Sequence, residues 1–136
     1  MAQQAQPRGL RLNNPLCIRK SKEKWLGKVP TNDPDFEQFR DIFYGIRAAL
    51  VILRTDTGRK YRFRFVSDII RRWAPANENN TKRYTEFVLT KSCIQPNEVI
   101  TFSNKNQICR LAWAMAAYEC GVQVPFNYFE RAYAMV

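Results

Sequence analysis

The stretch from Ser103 to Gly121, SNKNQICRLAWAMAAYECG, constrains the fold of this chain more than any other. Ser103 suits a helix N-cap, and Gly121 suits the left-handed position that closes a helix. Between them Ile108, Ala112 and Met115 recur at a spacing of three to four, so they share one helix face. Glu119 continues that series four residues after Met115. A carboxylate is thereby expected on the buried stripe, in the last turn of a helix. Loss of solvent and the negative end of the helix dipole both raise the pKa of such a group. A carboxyl group kept protonated near neutrality can serve as a general acid. The plainer alternative is a half-exposed glutamate that only ends the helix.

Helical periodicity extends through most of the chain. Residues 1–8 read as a flexible tail and residues 9–136 as a single domain, long enough to bury its own core. Asn13-Asn14-Pro15 is a turn signal, and PTNDPDF a loop. A helix is expected from about Phe36 to Arg54, its apolar face formed by Phe39, Phe43, Ile46, Leu50 and Leu53. Gly45 inside it costs roughly 1 kcal/mol relative to alanine, which points to close packing against another backbone. Arg47, on the edge of that face, is either an ion-pair partner or a group facing a cleft. Thr55 to Lys60 reads as a turn, and YRFR at 61–64 alternates over too few residues to fix a strand. Further helices are expected from Phe65 to Trp73, stopped by Pro75, and from Thr81 to about Ser92, capped by Asn80 and burying Tyr84, Phe87 and Val88. A last short helix starts at Pro125. The fold class is therefore mainly α, with at most a small β-hairpin.

Composition narrows the chemistry. The chain has no histidine, and its four cysteines form no CxxC pair, so zinc sites and histidine-dependent nucleophilic catalysis lose their support. Nothing calls for a cofactor or a metal, and buried free thiols are the expected state of the cysteines. No apolar run reaches the roughly 18–20 residues of a membrane span, and the N-terminus lacks a signal-peptide core, so synthesis in a cytoplasm without membrane insertion is expected. The formal charge of +10 favours an anionic partner: nucleic acid, an acidic membrane surface or a bacterial cell wall. Basic residues interleaved with aromatics in RKSKEK, GRKYRFR and IIRRW would suit single-stranded nucleic acid, although no recognition-module signature accompanies them.

Trp73-Ala74-Pro75, Glu78-Asn79, Thr81 and Tyr84 form a compact set at a helix-loop-helix corner. Sugars bind where an aromatic face meets amide and carboxylate groups. The structural alternative makes Trp73 core, Pro75 a helix stop and the Asn/Thr pair a cap.

The segments RGLRLNNPLCIRK, FEQFRDIFYGIRAAL, IIRRWAPANENNTKRY and the closing YECG, in that order, resemble a family of small phage and prophage proteins described as virion structural proteins or lysozyme-like cell-wall hydrolases. The most specific block is WAPxxENxT, matched by Trp73, Ala74, Pro75, Glu78, Asn79 and Thr81; GIRA is matched by Gly45 to Ala48. The resemblance implies a helical, lysozyme-like domain acting on peptidoglycan glycan strands, at the cell wall or in a virion with other virion proteins as partners. Glu119-Cys120-Gly121 resembles the helix-end glutamate of lytic transglycosylases. Glu119 is then the expected acid, with Glu78 as a second carboxylate if it lies within about 5–10 Å. Asn13, Asn14, Arg47, Trp73, Asn79, Thr81 and Tyr84 are the expected glycan-binding residues. Two departures count against activity: Leu12-Asn13-Asn14-Pro15-Leu16-Cys17 stands where the family has Asn-Asn-Asn-Pro-Gly-Asn, and Phe43 stands where relatives often carry a glutamate.

Overall fold

The computed structural model describes residues 6–74 and 80–136. Six helices and one two-stranded antiparallel sheet make up its regular structure: α1 (Arg8–Arg11), β1 (Lys28–Val29), β2 (Gln38–Phe39), α2 (Ile42–Asp56), α3 (Val66–Trp73), α4 (Thr81–Ser92), α5 (Lys105–Cys120) and α6 (Phe126–Tyr133). The mainly helical class expected from periodicity is what forms. Arg8–Arg11, whose first residue falls in the expected tail, is a helical turn, tied down where the Arg8 guanidinium bonds both oxygens of Asp33 at 2.6 and 2.7 Å.

Helix α5 is the centre of the fold, in contact with α1, α2, α4 and α6. Its start lies one residue beyond the expected cap, because the Asn104 side chain accepts the Gln107 N–H at 3.2 Å. Its end is as expected: Gly121 adopts φ 73° and its N–H reaches back to the Ala117 carbonyl. Ile108, Ala112 and Met115 are fully buried. Around them pack Leu16, Phe39, Ile46, Leu50, Leu53, Ile69, Ile70 and Phe129 in one continuous core.

The helix expected from Phe36 begins later. Asp41 is the stronger start signal, its carboxylate accepting the N–H groups of Phe43 and Tyr44 at 2.9 and 3.3 Å. Upstream, Gln38–Phe39 pairs with Lys28–Val29, Phe39 opposite Lys28. Phe39 is therefore core, as its apolar character required, but from a strand. The YRFR stretch forms no strand. Gly45 is packed against backbone as expected: a Cβ there would run into the Asn13 carbonyl oxygen. That contact seats the Asn13–Pro15 turn on α2. All four cysteines are free; Cys109 and Cys120 are buried, whereas Cys93 is exposed, since it occupies the left-handed C-cap of α4 at φ 59°.

Candidate functional site

Two helices end in the same way. In α5 the apolar series Ile108, Ala112, Met115 is continued by Glu119; in α2 the series Ile46, Leu50, Leu53 is continued by Asp56. Each carboxylate thus lies in a last turn, on a stripe that faces the core. Both line one cleft of about 470 Å³, together with Cys17, Ile18, Arg19, Ser21, Trp25, Phe36, Ile52, Arg72 and Trp73. Its size falls within the range of small-molecule sites.

The chain reaches this cleft from four directions. Arg19 and Phe36 are bridged across the antiparallel ribbon that leads into β1 and β2, which carries Trp25 to the rim. Trp73, the last residue of α3, is fixed by its indole N–H donating to the Leu16 carbonyl at 3.1 Å. Trp25 has its indole Nε1 buried and without a partner. Three aromatic side chains, two guanidinium groups and two carboxyl groups therefore border a single concavity.

Burial raises the Glu119 pKa from 4.5 to about 7, against the opposing pull of the Tyr84 hydroxyl and of the Arg19 charge. The C-terminal end of the α5 dipole acts in the same direction as burial. Tyr84 lies fully buried beneath the cleft, its ring stacked on Tyr118 at 4.0 Å. Its hydroxyl is buried without a conventional hydrogen-bond partner, and burial first, then the neighbouring Glu119 carboxyl, raise its pKa well above the usual value. Asp56 is 1% exposed and pairs with Arg72, Nε to Oδ1 at 3.1 Å. Desolvation raises its pKa and the guanidinium partly offsets this. The Arg72 guanidinium also lies over the Tyr61 ring, 4.1 Å from its centroid. Burial pushes the Cys17 thiol up to about 12, so this cleft-lining cysteine stays protonated and unreactive. Among the described residues no group of three or more His, Cys, Asp or Glu side chains is gathered where it could hold a metal ion.

The expected site residues separate accordingly. Glu119 and Trp73 are brought together in the cleft. Glu78 and Asn79 lie outside the described residues. Tyr84 is fully buried and does not line the cleft. Thr81 borders a separate groove with Ser67, Arg71 and Glu86.

Asn13, Asn14 and Arg47 lie outside the cleft, each engaged by backbone. Asn14 is fully buried; its amide donates to the carbonyls of Ile18 and Glu37, both at 3.0 Å, and its oxygen accepts the Ile18 N–H at 2.9 Å. Asn13, at φ 53°, donates to the Phe39 carbonyl at 2.9 Å. Arg47 donates to the Met135 carbonyl at 3.1 Å. Phe43 packs against Tyr128 in a tilted ring pair with Arg131 over its ring, on the seam between α2 and α6, and it too lies outside the cleft.

Sequence reasoning missed Asp56, Arg72, Trp25, Arg19 and Phe36. Asp56 alone had a local signal, its place three residues after Leu53 on the stripe, masked by the reading of Thr55–Lys60 as a turn.

The fold and cleft define a small helical domain with a glutamate whose pKa is raised to about 7 at the edge of an aromatic groove. No protein-family model matches the chain. It is similar to Protein P5 of Pseudoalteromonas phage PM2, 43% identical over 95 residues that cover 67% of this chain and 59% of that protein. The chain thus spans less than two thirds of the length of that relative. This similarity supports the phage connection in the family expectation. Among the described residues no helix is long and apolar enough to cross a membrane.

Proposed function

We propose that this chain is a phage-related peptidoglycan glycosidase of the lytic transglycosylase type, with Glu119 as its acid. The observation that carries the reading is a carboxyl group half-protonated near pH 7 in the wall of a cleft that also presents Trp25, Phe36 and Trp73. Aromatic faces of this kind cover the C–H side of pyranose rings, while charged groups take the hydroxyl and carbonyl substituents. Glu119 would donate its proton to the glycosidic oxygen as the C1–O bond breaks, and the leaving sugar would depart as an alcohol. The C6 hydroxyl of the retained sugar would then attack C1 and pass its proton to the Glu119 carboxylate, restoring the acid.

Asp56, the other carboxylate of the described lining, is sealed and paired with Arg72, so it does not serve as a second catalytic carboxylate. Approach of the Tyr84 hydroxyl would stabilise Glu119 in its deprotonated stage. The formal charge of +10 suits retention on an anionic wall. Phe43 itself lies on the α2–α6 seam and does not line the cleft. The phage relative supports a phage-related protein, and action in a virion or at the host cell wall is part of this proposal.

The test is digestion of purified sacculi followed by mass spectrometry of the soluble fragments. Anhydromuramyl products from the native chain, and none from Glu119→Gln, are expected. Reducing-end products would replace the transglycosylase by a muramidase. Retention on sacculi without any release would make the protein a wall-binding component, and release by Glu119→Gln would remove Glu119 from the chemistry.

A further inference from the structure

We infer that Arg72 forms a carboxylate-binding subsite in this cleft, selecting glycans that carry an acidic substituent over neutral ones of the same backbone. The inference rests on the glycan-cleaving reading and names the feature of the substrate that the cleft recognises. Three constraints hold the guanidinium. Its Nε forms an ion pair with the buried Asp56 at 3.1 Å, its carbon centre lies over the Tyr61 ring at 4.1 Å, and its stem leaves α3 one residue before the anchored Trp73. The Arg72 side chain is nevertheless 45% exposed and lines the cleft, and its 3.1 Å approach to Asp56 is through Nε, not through the Nη groups.

A guanidinium fixed in this way has lost most of its rotamer freedom before any ligand arrives, and a planar fork matches a carboxylate. Asp56 is a positioning residue in this arrangement. It is too buried to touch substrate, and one carboxylate does not use up the five donors of the arginine. Both Asp56 oxygens are buried with no conventional hydrogen bond, which makes the pair a poor investment for stability alone. In a bacterial glycan the matching acid is the lactyl carboxylate of the muramic residue or a carboxylate of its stem peptide.

Binding is measured by quenching of tryptophan fluorescence on the full chain carrying Glu119→Gln, which prevents turnover. Three ligands of equal backbone length are compared: chitotetraose, a tetrasaccharide with alternating N-acetylmuramic acid bearing free lactyl acids, and the same tetrasaccharide with stem peptides attached. Tighter binding of at least one acidic glycan, by about tenfold or more over chitotetraose, is expected, the size of one charge-assisted hydrogen bond. Whichever acidic glycan is preferred identifies the carboxylate. Arg72→Gln should collapse the preference to within about threefold. Because that change strands Asp56, the double variant Asp56→Asn/Arg72→Gln, which removes both charges, is measured alongside and should lose the preference equally. Equal binding of all three glycans, or a preference that survives in both variants, overturns the subsite while leaving a glycan site in place. Binding of none overturns the glycan reading itself and the subsite with it.

Discussion

Replacing Glu119 by glutamine should stabilise the protein in alkaline solution and leave it nearly unchanged in acid. The folded-state pKa of about 7 lies above the ordinary value of 4.5, so between these two values the folded chain binds a proton that the unfolded chain has released. The neutral carboxyl therefore contributes fully below about pH 4.5, and its contribution is lost as pH rises through 7. A displacement of this size corresponds to about 3 kcal/mol, reduced to about 2–3 because Glu119 is not fully sealed. Glutamine keeps the volume and never ionises. The difference in melting temperature between Glu119→Gln and the native chain should widen by about 5–10 °C between pH 4.5 and pH 8. Thermal unfolding followed by circular dichroism at both pH values reads this directly, since the titration of all other groups cancels in the difference. A gap that does not depend on pH would refute the buried, uncharged state of Glu119.

Three further outcomes are expected. Asn14→Ala removes three buried hydrogen bonds and strands the backbone groups of Ile18 and Glu37, and should cost about 3 kcal/mol by urea denaturation. Gly45→Ala gains about 1 kcal/mol of helix propensity but drives a methyl group into the Asn13 carbonyl, so a net loss of about 1–3 kcal/mol is expected, and a stabilised variant would contradict the packing. Trp73→Ala deletes an aromatic wall of the cleft and should weaken retention on purified sacculi by about tenfold or more, whereas Phe43→Ala, on the α2–α6 seam, should leave retention unchanged in whatever fraction remains folded.

The parts of the site that could be read in advance are those whose position follows from local periodicity. Glu119 is placed by Ile108, Ala112 and Met115, and its helix end by Gly121, so four residues suffice to put a carboxyl group on a buried stripe. Asp56 obeys the same rule on α2, but the polar run that follows it resembles a turn, and the helix continues through Thr55 and Asp56 to a cap at Thr57. Phe36 to Phe39 carries helix-like spacing, yet pairing with Lys28–Val29 and the stronger cap at Asp41 convert it to a strand. Trp25, Arg19, Phe36 and Arg72 meet Glu119 only through this non-local pairing and the placement of α3, which no window of sequence encodes. Asn13 and Asn14 are expected in the glycan groove only through the family resemblance, and the residues themselves signal a turn; burial and its bonds to the Ile18 and Glu37 backbone assign Asn14 to that structural role. Gly45 and the Asn13 carbonyl show the converse, a glycine inside a helix correctly announcing a close backbone approach.

The central claim is that Glu119 supplies the proton that breaks a glycosidic bond. Its most direct test is the rate of soluble-fragment release from purified sacculi between pH 5 and pH 9, for the native chain and for Glu119→Gln. A rate that falls as pH rises through about 7, where the acid is lost, and no release by Glu119→Gln at any pH are expected. A rate that climbs above pH 7, or release by Glu119→Gln, would contradict the central claim.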